Sequence, residues 1–103
     1  MKIIINSNKI ELNEALAVWV EKKIGSLDKF LKHMDPEVIE ARVEIGKPSK
    51  HHLKGMVWYA EVNLKLPGKL LRATNSNKDL RTAINQVKDE LQRQLKKYLG
   101  KKG

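Results

Sequence analysis

Cationic side chains flank an apolar stripe in the last quarter of the chain, and arrays of positive charge are the chemistry that binds phosphates. Across residues 79–102, apolar residues recur every three or four positions, as they do on one side of an α-helix. At 100° per residue, the flanking cations are Arg81, Lys88 and Lys96 on one side and Arg93 and Lys97 on the other. Such a helix can bury its apolar side and present its cations to a polyanion. RNA is therefore the leading candidate partner.

The charge of the whole chain favours the same class of partner. Its 103 residues carry 21 Lys and Arg against 12 Asp and Glu, a net charge of +9. The excess is clustered, because residues 35–44 carry net −3 whereas residues 46–72 and 78–103 each carry net +5. A basic surface with no partner is the simpler interpretation of net charge, but the clustering favours binding to nucleic acid or another anionic surface.

The first predicted helix adds three cations. Lys22 and Lys29 lie seven residues apart on its polar face. Lys23 falls by angle near the apolar stripe, so its stem either snorkels at the helix border or stands beside the second helix and adds to its cationic row. With five aromatic residues in the chain, Trp19 and Phe30 are predicted to pack in the protein rather than stack on bases. Contacts to phosphates, fitted to the shape of a folded RNA, suit this composition better.

Catalytic and cofactor chemistry finds little support in the sequence. It contains no phosphate-binding glycine loop, no nucleophile elbow and no zinc-protease motif. His33 could share a metal with His51 and His52, but no carboxylate or cysteine cluster lies at ligand spacing. Glu40 and Glu44 alternate on one strand face with a neighbouring arginine, which indicates surface ion pairing. We therefore expect no enzyme activity, no metal, no cofactor and no small-molecule substrate.

Composition also bounds the size and compartment of the protein. There are no cysteines, and the longest apolar runs, residues 3–5 and 16–20, are far too short for a membrane span. We expect one domain, residues 1–103, in a reducing cytoplasm, with no membrane partner.

Six elements are predicted from the patterns along the chain. Residues 2–6 form a strand that the turn formers Asn6, Ser7 and Asn8 should end. Apolar residues from Leu12 to Leu31 mark the first helix, with Asn13 as its N-cap. Gly25 and Ser26 weaken the middle of this helix, which should still form through packing.

Three strands and a second helix follow. Alternation predicts strands over residues 39–45 and 56–65, separated by a loop at residues 46–55. Pro67 and Gly68 suit a type II turn that returns the chain as a strand over residues 69–74. Residues 75–77 should then lead into the second helix, where Ser76 followed by Asp79 resembles a capping box.

The predicted fold is α+β, with element order β-α-β-β-β-α. A crossover through the first helix would place the first two strands parallel, and the remaining strands would form an antiparallel meander. Because each helix has one apolar stripe, both helices should pack side by side on one face of a four-stranded mixed sheet.

The chain resembles the ribosome hibernation promoting factors and ribosome-associated translation inhibitors, also called ribosomal subunit interface proteins. NSNKIELNEAL followed by VEKKIGSLDKF is similar to the opening strand and first helix of that family, and Asp79, an Ala-Ile pair at 83–84 and a later LxRQLxK pattern match its last helix. The resemblance covers essentially the whole chain. Positions that depart from the family pattern are Ser26, Asn85, Glu90 and Leu99, of which Ser26, Glu90 and Leu99 stand where the family commonly has a basic residue and so lower the local positive charge.

The resemblance implies a stress-phase or stationary-phase factor that binds ribosomal RNA of the small subunit, in the channel used by messenger and transfer RNA. It would inhibit translation by steric occlusion and keep idle ribosomes intact. Lys23, Arg93 and Lys97 match basic family positions, whereas Lys22, Lys29, Arg81, Lys88 and Lys96 are candidates from helical geometry. Because the chain ends at Gly103, the resemblance implies a short form, a monomer away from the ribosome. The alternatives are a general double-stranded-RNA-binding domain and a protein-binding regulator that modulates a sigma factor.

Overall fold

Four strands and two helices form an α+β fold in a computed structural model that describes residues 1–47 and 57–102, with side chains through residue 100. The strands are β1 (Lys2–Asn8), β2 (Glu40–Gly46), β3 (Trp58–Leu66) and β4 (Lys69–Asn77), and the helices are α1 (Glu14–Gly25) and α2 (Leu80–Lys102). The sheet order is β1-β2-β3-β4, with β1 and β2 parallel and the other pairs antiparallel. The predicted fold class and element order are confirmed.

The core lies between one face of the sheet and both helices. Alternate residues of β2 and β3, such as Val43 and Val62, are buried against the apolar stripe of α2, in which Val87, Leu91 and Leu95 have no exposed surface. Helix α2 packs over β3 and β4, while α1 contacts β1 and the side of α2. The outward faces of the two helices are therefore neighbours.

The first helix ends earlier than predicted. The Asn13 side chain caps α1 as expected, since its Oδ1 accepts from the backbone N–H of Leu16 at 2.8 Å. Beyond Gly25, however, the α-helix gives way to a 3-10 segment, Ser26–Phe30. The Ser26 hydroxyl donates to the carbonyl of Lys23 at 2.6 Å, a local bond that competes with continued α-helical geometry. Leu27 remains fully buried, so the apolar stripe continues into the core although the segment is a 3-10 helix and not an α-helix.

Two predicted strand ends are also wrong. Asn6, Ser7 and Asn8 continue β1, because they pair in register with residues 44–46 of β2. Residues 75–77 likewise belong to β4 and pair with the start of β3. In both cases the pairing partner outweighed the turn preference of Asn and Ser.

The second helix has a different cap from the predicted one. The predicted capping box from Ser76 is wrong, because Ser76 lies within the strand. Asp79 caps α2 instead, since its carboxylate accepts from the backbone N–H of Arg81 at 3.2 Å and from the hydroxyl of Thr82 at 2.8 Å. The tight turn between β3 and β4 is as expected, with Gly68 at φ +73°. Most of the predicted loop at residues 46–55, and the predicted strand start at Met56, lie outside the described residues.

Truncating the Leu91 side chain tests whether packing of α2 against the core stabilises the fold. Leu91→Ala is expected to lower the free energy of unfolding by about 2–5 kcal/mol, because its side chain has no exposed surface and would leave a cavity. Val18→Ala is the control, since Val18 is 55% exposed on α1. Urea denaturation followed by circular dichroism measures both. Equal, small losses would contradict the proposed packing of α2.

Candidate nucleic-acid interface

A groove runs between α1 and α2 on the outer surface of the helical layer. We call it the interhelical groove, and its lining residues are Trp19, Lys22, Lys23, Ser26, Lys29 and Lys88. Four of these six residues are lysines that the sequence predicted to bind RNA. Lys23 is half-buried and shares the groove with Lys88 of the second helix. Lys23 therefore lies beside the second helix, and its part in binding RNA stays a prediction.

Trp19 lies at one end of the groove, between cations of both helices. The Nζ of Lys23 lies 5.5 Å from its ring centroid, and the guanidinium carbon of Arg81 on α2 lies 4.7 Å away. Both distances are within the range of favourable cation–π contact. The indole therefore joins a cation of α1 to a cation of α2.

Phe30 makes an equivalent arrangement at the end of the 3-10 segment. The Nζ of Lys29 lies 5.3 Å from its ring centroid, and the Nζ of Lys96 on α2 lies 5.7 Å away. The early end of α1 contributes here, because the 3-10 segment that follows it contacts α2. Lys96 is thereby placed with the groove lysines.

Lys88 is one of two partly buried cations of the predicted set, with Lys23. Its side chain is 19% exposed, and its Nζ donates to the side-chain oxygen of Gln92 at 3.0 Å and contacts the carboxylate of Asp89 at 3.5 Å. These partners hold the ammonium and partly compensate its charge.

Arg93 and Lys97 lie on the other flank of α2. They line a second groove, which we call the β4-side groove, with Lys69, Leu71, Gln94 and Tyr98. Lys69 was missed by sequence reasoning, because its approach to α2 depends on the β3–β4 turn. Its Nζ lies 5.7 Å from the ring centroid of Tyr98. The eight predicted cations therefore form two sets, six around the interhelical groove and two beside β4.

Arg93 has an acidic partner within α2. Its guanidinium donates twice to the carboxylate of Glu90, at 3.0 and 2.6 Å, and Gln94 donates to the same carboxylate at 2.8 Å. These hydrogen bonds, chiefly that from Arg93, lower the pKa of Glu90 to about 2, and the carboxylate raises the pKa of Arg93. Arg93 is thus held in place by the Glu90 carboxylate, which would compete with a phosphate for the same guanidinium.

The face of the sheet that carries no helix is different in character. Glu61 accepts hydrogen bonds from Tyr59 at 2.6 Å, Asn63 at 2.8 Å and Arg72 at 3.0 Å. The bond from Tyr59, followed by those from Asn63 and Arg72, holds the pKa of Glu61 below its ordinary value, while burial and this carboxylate raise the pKa of Tyr59 to about 12. Arg42 is similarly paired with Glu40, as predicted, at 2.6 Å. Two acids of this face are thus each paired with an arginine.

Other classes of site receive no support in the described part of the chain. Among residues 1–47 and 57–102, no three His, Cys, Asp or Glu side chains group as metal ligands would. His51 and His52, which with His33 were the candidate ligands, lie outside the described residues. No helix of the described ranges has the length and apolar composition needed to cross a membrane.

Comparison with known proteins adds an independent observation. Residues 3–102 match the family described as Sigma 54 modulation protein / S30EA ribosomal protein. The chain is 31% identical over 98 residues to a ribosome hibernation promotion factor of Lactococcus lactis, and 30% identical over 98 residues to one of Picosynechococcus. These alignments cover 95% of this chain and 49% of each relative, so the chain spans about half the length of the curated relatives it matches.

Solved structures show the same architecture. The N-terminal domain of Protein Y from Thermus thermophilus matches with a TM-score of 0.75 at 31% identity, over 95% of this chain and 99% of that one. A ribosomal subunit interface protein from Coxiella burnetii matches with a TM-score of 0.72, over 97% and 99% of the two chains. At 20% identity the second match shows the fold alone.

The contact between Glu90 and Arg93 should be visible in a titration. Because the folded-state pKa of Glu90 is lowered from 4.5 to about 2, its carboxylate should stay charged and paired down to about pH 2, and lose the pair below that. Carbon-detected NMR of the Glu90 carboxyl measures this midpoint. Arg93→Gln should raise the midpoint towards 4.5, because the largest cause of the shift is removed. A wild-type midpoint near 4.5 would contradict the pairing.

Proposed function

The chain belongs to the Sigma 54 modulation protein / S30EA ribosomal protein family, and on that premise we propose that it is a ribosome hibernation factor that binds the small ribosomal subunit. The names of its curated relatives support this proposal. We propose that residues 1–103 act as one ribosome-binding domain, in the cytoplasm, under stress or in stationary phase.

The asymmetry of charge between the two sides of the molecule is the observation that carries the proposal. Between residues 80 and 100, helix α2 carries five Lys and Arg against two acids. Six of the predicted cations gather around one groove, whereas on the open sheet face Glu40 and Glu61 are each paired with an arginine. A polyanion would therefore approach the helical side, and it would gain affinity by releasing counterions from its phosphates.

In the proposed mechanism the protein occupies a binding site on the small subunit and catalyses no reaction. Cations of the interhelical groove, with Arg93 and Lys97 beside β4, would contact phosphates of small-subunit ribosomal RNA in the channel used by messenger and transfer RNA. Phosphate contacts position a protein on RNA without reading bases, which suits recognition of a folded RNA by its shape. The bound domain would exclude messenger and transfer RNA sterically and keep inactive ribosomes intact.

Removing the three cations that match family positions tests this site. Lys23→Ala, Arg93→Ala and Lys97→Ala together are expected to weaken binding to purified small ribosomal subunits about tenfold or more, because phosphate contacts are lost. If about six phosphates are contacted, log affinity should fall against log salt with a slope of roughly −4 to −5, and the variant should flatten it by about two to three units. Co-sedimentation at graded salt measures both quantities.

The matched control removes the same charge from the open sheet face. Lys2→Ala, Arg42→Ala and Lys65→Ala also delete two lysines and one arginine, and should change affinity far less. Equal losses in the two triple variants would contradict the site and indicate attraction to net charge alone. Equal affinity for arbitrary RNA duplexes and for subunits would favour a general double-stranded-RNA binder. A salt-insensitive protein complex in place of subunit binding would favour a sigma-factor regulator.

A further inference from the structure

We propose that Trp19 and Phe30 are positioning residues, which hold cations on both sides of the interhelical groove in place for phosphate contact. The inference rests on the proposed function, because it concerns the same RNA-binding surface. It assigns to the two rings a task in binding that goes beyond packing.

Each ring contacts one cation of the α1 side and one cation of α2. Trp19 contacts Lys23 of α1 and Arg81 of α2, and Phe30 contacts Lys29 of the 3-10 segment and Lys96 of α2. Two independent aromatic residues thus repeat one arrangement, with one cation from each helical segment. The repetition indicates that the rings determine how the cations are distributed along the groove.

An aromatic ring is a different kind of partner from a carboxylate. Glu90 holds Arg93 firmly, but its negative charge opposes a phosphate that approaches the same guanidinium. A ring attracts a cation through its quadrupole and leaves the positive charge in full. Among the described residues, Lys23, Lys29, Arg81 and Lys96 have no acidic partner within 4.0 Å. They are therefore held in position while their charge stays available.

Positioning matters because the cations repel one another. Free lysine and arginine side chains sample many rotamers and would spread apart, and both effects must be overcome when a phosphate binds. Contacts with the rings reduce these costs before the ligand arrives, which raises affinity without adding charge. Trp19 and Phe30 are partly buried against the core, so the rings themselves are fixed.

Leucine substitutions remove the ring while keeping an apolar side chain. Trp19→Leu and Phe30→Leu should each weaken binding to purified small subunits and to inorganic polyphosphate about three- to tenfold, because two cation–π contacts are lost. The slope of log affinity against log salt should stay the same, since the number of cations is unchanged. Trp19→Phe and Phe30→Tyr keep a ring and should restore most of the affinity.

A spectroscopic measurement separates positioning from packing. In the free protein, the ring should shift the side-chain methylene resonances of Lys23 and Lys29 upfield in proton–carbon NMR spectra. These shifts should collapse towards unstructured values in the leucine variants and return in the aromatic ones. Polyphosphate contains no bases, so a loss of affinity for it cannot come from lost base stacking.

Trp58 provides a matched control. It is also half-buried and has Lys47 Nζ 5.2 Å from its ring centroid, but it lies at the start of β3 and is not a lining residue of the groove. Trp58→Leu should therefore leave affinity for both probes unchanged, even if it lowers the melting temperature.

The inference is overturned if Trp19→Leu and Phe30→Leu, folded by circular dichroism, bind polyphosphate as the wild type does. It is also overturned if Trp58→Leu weakens binding equally, since loss of stability would then be the cause. Failure of the proposed function gives a different result, in which wild-type protein does not bind small subunits. In that case the polyphosphate and NMR measurements still decide whether the rings position the cations.

Discussion

The burial of two apolar helical stripes against a single face of the sheet is the constraint on which the rest of the structure depends. Ile24 of α1 and Leu91 of α2 have no exposed surface, and the two central strands, β2 and β3, bury their alternating apolar residues on that side. Both helices must therefore lie side by side and in contact on that face. Cations scattered over distant parts of the sequence become the two walls of one groove as a consequence of this packing.

The molecule keeps its positive charge available in one place and compensates it in another. On the open face of the sheet, carboxylates such as Glu61 accept hydrogen bonds from neighbouring bases and polar groups. Around the interhelical groove, aromatic rings take the place of acids for four cations, whereas Lys88 contacts the carboxylate of Asp89. Arg93 is intermediate, because it faces solvent beside the second groove yet stays paired with Glu90. Because cations have acidic partners on the open sheet face and mostly aromatic partners around the groove, uncompensated positive charge is concentrated on the helical side.

Periodicity in the sequence predicted the elements and the core, because alternation and helical spacing follow directly from backbone geometry. It failed at the ends of elements, where a pairing strand or a side-chain hydrogen bond outweighed the residue's own conformational preference. Asn8 stays in β1 because Gly46 pairs with it, and α1 ends at Gly25 because the Ser26 hydroxyl bonds back to a carbonyl. The site shows the same limit. Helical angles found the cations, but Lys69 and the ring contacts depend on which elements meet in space, although the i,i+4 spacing of Trp19 and Lys23 was a usable signal.

The orientation of the domain on its target is the most direct test of the account. Cryo-electron microscopy of small ribosomal subunits saturated with the protein would show which side of the sheet faces RNA. We expect α1 and α2 to face ribosomal RNA, with Lys23 and Lys29 at contact distance from phosphates and the open sheet face turned away. Density that places the open sheet face against the RNA, or the domain on a ribosomal protein surface, would contradict it.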